Sequence, residues 1–349
     1  MEKPSNDDLL FGKHYTDHML EVDWTEASGW QTPVIRPLEP LKVHPAAKVF
    51  HYAAGLFEGM KVFRGVDNNI RMFRPMENMN RMAESAKRAG FPEFDKEEML
   101  KCLKKLVEVD QDWTPYSENS SLYIRPTCIG TEPTLGLTYP REAKLFAILC
   151  PTGPYFPSGI KAITLLADPR YVRAWPGGSG QVKMGSNYAP AMAVQKEANK
   201  LGCSQVLWLY GSEGEITEAG TMNLFVYWIN ENGVEELITP PLHSGLILPG
   251  ITRKSLLEMA RGWGEFKVSE KKITMAQFRK ALREGRVKEM FGTGTACLIC
   301  PINKIVSCPL GETLVINESD EPQPLTQRIF KEFTDIQYYQ KPSAWMESL

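Results

Sequence analysis

The sequence predicts a mixed α/β (α+β) chain folded as two lobes, and three observations support that prediction. Strand-like alternation and helix-like periodicity take turns along the chain with no fixed repeat, so helices and sheets must share layers. The 349 residues exceed the usual one-domain size, and at about 150 residues per domain they suit roughly two. At 151–159, three prolines and two glycines fall in nine residues, a compositional break that marks the junction. The expected organisation is a small N-terminal α/β domain at 1–153, an interdomain loop at 154–160 and a larger C-terminal domain at 161–349.

In chain order, short strands are expected at 49–52 and 60–63. A helix follows from about 75, where Pro75 suits a first turn whose N–H groups lack acceptors. Met76, Met79, Met82 and Ala83 make its stripe, and Gly90 stops it. Asp95, with Glu98 three residues on, caps the next helix, which buries Leu103, Leu106 and Val107. Strands at 122–125 and 144–150 complete the first lobe, with the two helices covering one face of its sheet. Beyond the break come a strand at 160–167, a Gly-rich loop at 175–180, a helix at about 187–200 and strands at 206–210 and 223–229. Asn232-Gly233 reads as a hairpin turn into a strand at 234–238. A helix starts after Leu248-Pro249-Gly250 and carries Leu256, Leu257, Met259 and Ala260. Thr274 with Gln277 opens another as a capping box, ending near Gly285. The last helix, from about Leu325, holds Ile329, Phe330, Phe333 and Ile336. A cleft among the loops of two such lobes is the natural place for a site.

Composition narrows the partners. Forty Lys and Arg against 42 Asp and Glu leave a net charge of -2 with no basic block, so nucleic acid and anionic membranes are not expected partners. Apolar runs such as 145–150 fall far short of the ~18 residues a spanning helix needs. The first residues are acidic and lead into no apolar stretch, so the expected compartment is the cytoplasm, or the mitochondrial matrix if a presequence has been removed. Seven cysteines, odd in number and sparse, point to a reducing compartment.

Metal and nucleotide chemistries find little support. His14 and His18 are four apart but lack the zincin glutamate. Cys297 and Cys300 form a CxxC pair that Cys308 alone cannot complete, so no metal site is expected. The pair reads equally as a reversible dithiol or as two half-buried thiols. Gly177-Gly178-Ser179-Gly180 lacks the Lys-Ser/Thr ending of a P-loop.

Three segments instead suit an anionic cofactor. Gly250-Ile251-Thr252 opens a helix, where free N–H groups and the positive dipole end attract phosphate. Gly292-Thr293-Gly294-Thr295-Ala296 follows a strand and offers backbone access with hydroxyls. Lys183, in the apolar, Gly-flanked run Val182-Lys183-Met184-Gly185-Ser186-Asn187-Tyr188, is a candidate Schiff-base amine, because desolvation favours the neutral nucleophile.

Across these residues the chain resembles the branched-chain amino acid aminotransferases of animal type, members of the fold-type IV pyridoxal phosphate enzymes. The resemblance rests on Gly55-Leu56-Phe57-Glu58-Gly59-Met60-Lys61, Tyr123-Ile124-Arg125-Pro126, the Lys183 run, Thr217-Glu218-Ala219-Gly220-Thr221-Met222-Asn223, Leu248-Pro249-Gly250-Ile251-Thr252-Arg253 and Gly294-Thr295-Ala296-Cys297-Leu298-Ile299-Cys300. It runs from about Phe11 to Trp345. It implies a larger C-terminal domain built on a pseudo-barrel of strands, pyridoxal 5'-phosphate as cofactor, and reversible ping-pong transamination of Leu, Ile and Val with 2-oxoglutarate.

Residue by residue, the resemblance implies that Lys183 forms the internal aldimine and moves the proton. It sets Glu218 at the pyridine nitrogen, Tyr188 at the 3'-oxygen, and Arg81, Ile251, Thr252 and Thr295 at the phosphate. Tyr52, Phe57, Tyr123, Tyr155 and Thr221, with Tyr15 nearby, would line the substrate pocket. Arg125 would receive the second carboxylate of glutamate or 2-oxoglutarate. Thr295, Ala296 and Tyr52 would meet the α-carboxylate. Leu137 would reach the partner subunit's site in a homodimer, and Cys297 with Cys300 is the candidate redox pair. D-amino acid aminotransferases and aminodeoxychorismate lyases share the lysine, glutamate and phosphate positions, but the Cys297/Cys300 pair and the Tyr123-Ile124-Arg125 segment disfavour both. A non-catalytic dithiol or interaction protein on the same scaffold would be expected to have lost Lys183 or Glu218, and both are present.

Overall fold

The computed structural model describes residues 3–5, 8–117, 120–154, 160–308 and 311–349. The chain begins β1 (His18–Thr25), β2 (Gly29–Trp30), β3 (Val34–Pro37), α1 (Lys48–Tyr52), β4 (Gly55–Phe57), β5 (Met60–Arg64) and β6 (Ile70–Phe73). Next come α2 (Pro75–Ala89), α3 (Lys96–Val109), β7 (Ser121–Gly130), β8 (Glu142–Thr152), β9 (Ile163–Ala167), α4 (Ala191–Lys200) and β10 (Gln205–Tyr210). Then follow β11 (Glu215–Ala219), β12 (Met222–Ile229), β13 (Glu235–Thr239), α5 (Ile251–Trp263), β14 (Lys267–Glu270) and α6 (Met275–Arg283). The chain ends with β15 (Val287–Gly294), β16 (Leu298–Ser307), β17 (Glu312–Val315), α7 (Pro324–Gln337) and β18 (Met346–Ser348).

Two compact units result: Met1–Pro157 with Val182–Ser186 and Glu332–Leu349, and Ser158–Gln181 with Asn187–Lys331. No single cut in the chain separates them. The 182–186 segment joins the first unit because Leu56 bridges Met184 and the Phe57 amide donates to the Lys183 carbonyl (3.1 Å). The C-terminus joins it because β18 pairs with β6, while the Phe73 ring packs against Phe333 and Trp345. Most of the 154–160 loop lies outside the described residues.

In the first unit the sheet runs β18-β6-β5-β7-β8-β1-β2, with β3 on β1 and β4 on β7. Met79 and Met82 of α2 and Leu103, Leu106 and Val107 of α3 close a core with Met60, Val62, Ile124 and Leu149 of the sheet. Asp95 caps α3 by accepting the Glu97 and Glu98 amides. The strand expected at 49–52 is instead α1. Its β-branched and aromatic residues favour a strand, but Phe50 is exposed and the buried Lys48 anchors the turn, which Ala53 ends in the left-handed region. Tertiary anchoring outweighs local propensity here.

The second unit contains a closed ring. Its strands run β11-β10-β9-β16-β15-β12, and β11 pairs back onto β12; β13 and β14 extend from β12, and β17 lies on β16. This is the pseudo-barrel expected of the C-terminal domain. Phe225 and Phe291 stack in its core with centroids 5.6 Å apart. Helix α4 starts later than expected, at Ala191, because a short 3-10 turn at Gly185–Asn187 comes first and Pro190 sets the helix entry.

Candidate functional site

In the first unit, polar groups converge on Glu58. The residue follows β4, is fully buried, and accepts from Arg81 Nε (2.7 Å) and Nη2 (2.8 Å), Asn78 Nδ2 (2.8 Å) and the Gly59 amide (3.0 Å). Burial alone would raise its carboxyl, but the Arg81 guanidinium, with help from Lys183 and Asn78, holds it below the ordinary carboxylate range. Asn78 and Arg81 lie three apart on α2 and Ser85 four further on, so one helix face supplies all three.

Ser85 leads to the lysine. The Lys183 amide donates to Ser85 Oγ (2.9 Å), its carbonyl accepts from the Phe57 amide (3.1 Å), and its Nζ lies 4.9 Å from the centre of the Phe57 ring. The side chain thus springs from a backbone held on both sides and shares the neighbourhood of Glu58.

Beside it stand Tyr123 and Arg125, two apart on β7 and therefore on one face. The Arg125 guanidinium lies 4.7 Å from the Phe57 ring centre and 5.2 Å from that of Tyr123, and its Nη2 donates to the Tyr123 hydroxyl (3.0 Å). Among the described residues, Arg125 Nε is buried without a hydrogen-bond partner. Burial pushes the Tyr123 hydroxyl up despite Arg125, so it stays protonated. Gly59 makes room for it: a Cβ there would stand 1.9 Å from the Tyr123 oxygen. Tyr52, the last residue of α1, donates its hydroxyl to the Leu135 carbonyl, and Leu137 is 80% exposed on the same loop. Tyr15 donates to the nearby Gly12 carbonyl (3.0 Å), and Tyr155 lies outside the described residues.

In the second unit, strand register assembles a row of polar side chains. Glu218 of β11 pairs with Asn223 of β12, which pairs with Thr293 of β15, so all three share one face of the ring. The buried Glu218 accepts at Oε1 from Asn223 Nδ2 (2.9 Å) and the Leu248 amide (3.0 Å), and at Oε2 it meets Arg173 Nε (2.8 Å). Arg173 is itself fixed by the Gly180 and Leu246 carbonyls (3.2 and 3.1 Å). Asn223 also donates to the Leu248 carbonyl (2.8 Å), tying this row to the turn that begins α5.

This unit can take an anion. Helix α5 has Gly250 at its N-cap and no side-chain cap, and Ile251 and Thr252 open its first turn. Among the described residues, Thr293 Oγ1 is buried with no hydrogen-bond partner. Thr295 and Ala296 form the half-exposed turn between β15 and β16. Tyr188 directly follows the 3-10 turn of Gly185–Asn187. Uncapped amides and a threonine hydroxyl as donors, with a fixed carboxylate as acceptor, are the groups that a phosphorylated, nitrogen-containing ring needs.

Glu58, Arg173 and Asn223 carry much of this geometry, yet the sequence reading gave them no role. Glu58 and Asn223 stand inside quoted motifs, whereas nothing around Arg173 signals its contact. Arg81, expected at a phosphate, commits Nε and Nη2 to Glu58. Cys297 and Cys300 are both buried rather than half-buried, and both are thiols. Burial, with the neighbouring Cys297, pushes the Cys300 thiol up, against the lowering that CxxC spacing alone suggests.

The description "Amino-transferase class IV" belongs to a family whose pattern matches residues 55–305. The mouse cytosolic branched-chain-amino-acid aminotransferase is 56% identical over 345 residues, 99% of this chain and 89% of that protein. The bovine mitochondrial branched-chain-amino-acid aminotransferase is 54% identical over 339 residues, 97% of this chain and 86% of that protein. The branched-chain amino acid aminotransferase of Thermobaculum terrenum, solved in its PLP form, shares the fold with a TM-score of 0.74 at 18% identity, covering 94% of this chain and 96% of that one. With its matched pattern, pinned lysine and strand ring, the chain belongs to the class IV aminotransferases.

Proposed function

We propose that the protein catalyses reversible amino-group transfer between L-leucine, L-isoleucine or L-valine and 2-oxoglutarate, with pyridoxal 5'-phosphate as cofactor. The observation that carries this reading is Lys183, gripped through its amide by Ser85 and through its carbonyl by Phe57, with its Nζ over an aromatic face. When bound, pyridoxal phosphate supplies an electron sink for the charge left at the amino acid's Cα.

The chain's own residues do the rest. Lys183 Nζ would anchor the cofactor, then take the Cα proton from the amino donor and, in the other half-reaction, deliver a proton to Cα of the keto-acid acceptor. Glu218, held by Asn223, the Leu248 amide and Arg173, orients a carboxylate toward the ring nitrogen and favours its protonated form. Tyr188 would donate to the ring oxygen. The α5 amides at Ile251 and Thr252, the Thr295 hydroxyl and Arg81 would hold the phosphate, and Thr295, Ala296 and Tyr52 would take the substrate α-carboxylate. Apolar burial against Tyr52, Phe57, Tyr123 and Thr221, with Tyr15, would select aliphatic side chains. Arg125 serves the acidic co-substrate, and its unpartnered Nε and stacking between two rings support that role.

We assign a homodimer, supported by the exposed Leu137 loop, and the cytoplasm, the compartment in the mouse relative's name. Among the described residues no helix is long and apolar enough to cross a membrane. The test is spectroscopic. The purified protein is expected to be yellow, to lose its visible band on adding leucine and to regain it with 2-oxoglutarate, while Lys183→Ala lacks both the band and turnover. A Lys183→Ala variant that keeps them overturns the reading.

A further inference from the structure

Lys48 opens α1, and a lysine only 1% exposed must have its ammonium fully satisfied. Its Nζ donates to the Gly136 carbonyl (3.0 Å), the Thr138 carbonyl (3.1 Å) and the Thr138 hydroxyl, and pairs with Glu132 Oε2 (3.1 Å). Every one of these partners lies in 132–138, a segment with no ladder of its own beyond the Ala47–Pro133 bridge. Glu132 is tied in turn, because its Oε2 also accepts the Arg141 amide (3.1 Å). The ammonium therefore gathers both ends of the loop onto one point, with Thr134, Leu135 and Leu137 between them.

That enclosed stretch meets Tyr52. The Leu135 carbonyl accepts the Tyr52 hydroxyl, and Tyr52 is the last residue of the helix that Lys48 begins. Lys48 thus fixes the donor's helix and the acceptor's loop at once. We infer that Lys48 is a positioning residue for substrate recognition, acting through the 132–138 loop on Tyr52. The inference rests on the proposed role of Tyr52 in the substrate pocket. An ammonium suits the task because its three N–H donors splay toward carbonyls in different directions, whereas a planar guanidinium would not match them.

The experiment uses the full-length enzyme loaded with pyridoxal phosphate. Lys48→Met is expected to raise KM for leucine and for 2-oxoglutarate by about tenfold while kcat stays within about twofold, since the loss is of positioning and not of chemistry. Cofactor absorbance and its titration with pyridoxal phosphate stay as in the unsubstituted protein. Lys48→Met combined with Tyr52→Phe is expected to add little to the KM of Tyr52→Phe alone, because both changes cut the same chain of contacts. Where Lys48→Met does not fold, Thr138→Val removes one partner of the ammonium and reports the same KM-selective effect at smaller size. Unchanged KM in the soluble variant, or full additivity with Tyr52→Phe, overturns the inference. If the unsubstituted protein itself fails to transaminate, the proposed function falls instead, and the two failures are told apart.

Discussion

Glu58 is the residue whose removal is expected to be felt most in the first unit. It is fully buried and meets four donor groups, two of them on Arg81, so Glu58→Gln leaves a buried guanidinium without its counter-charge. Breaking a buried pair from one side costs about 3–5 kcal/mol, and a lower urea midpoint at pH 7 checks it. The pH dependence has a definite sign. The folded carboxyl lies below its ordinary value of 4.5, so its contribution is present above that pH and is lost as the solution is acidified through the folded pKa. Melting temperature measured from pH 7 downward is expected to fall more steeply for the native sequence than for Glu58→Gln. Thiol reactivity offers a second check. The exposed Cys308 is expected to alkylate before the buried Cys300, whose thiol is pushed up, and peptide mass spectrometry after brief iodoacetamide treatment resolves the order.

Among the elements, α6 shows how far local chemistry can be read. Thr274 and Gln277 form the reciprocal capping box expected of them, with the Gln277 amide donating to Thr274 Oγ1 (3.2 Å) and the Thr274 amide donating to Gln277 Oε1 (3.0 Å). Thr274→Ala is expected to cost about 1 kcal/mol, measured as a drop in denaturation midpoint. The same signals made α2, α3 and α5 legible, because a proline, a capping aspartate or a Pro-Gly entry acts within one turn. α1 was illegible for the opposite reason: what decides it is the distant loop that receives Lys48. β1 and β18 are not legible in the sequence because β1 takes one partner from β8 and β18 takes its partner from β6, both far along the chain. The site divides likewise. Lys183, Glu218 and Thr252 stand in motifs that a sequence displays, whereas Arg173 acquires meaning only when the fold brings it to Glu218.

For the whole molecule, the two excursions of the chain into the first unit give a clear expectation. β18 supplies three register pairs to β6, and the Arg74 amide donates to the Trp345 carbonyl (2.8 Å). Deleting residues 343–349 is expected to lower the melting temperature and to speed hydrogen exchange at Ile70–Phe73, while the strand ring of the second unit keeps its protection. Equal loss of protection in both units would show that they unfold together.

The way the sheets end has a consequence for solubility. A free strand edge invites another chain to add to it, and this fold leaves little to add to. Six strands of the second unit close on themselves, and its extension ends at β14, whose sequence Lys267-Val268-Ser269-Glu270 bears a charge at either end. The first sheet ends on strands of two and three residues, β2 and β18. Crowded copies of the folded enzyme should therefore resist edge-to-edge polymerisation, and fibre formation should wait on unfolding.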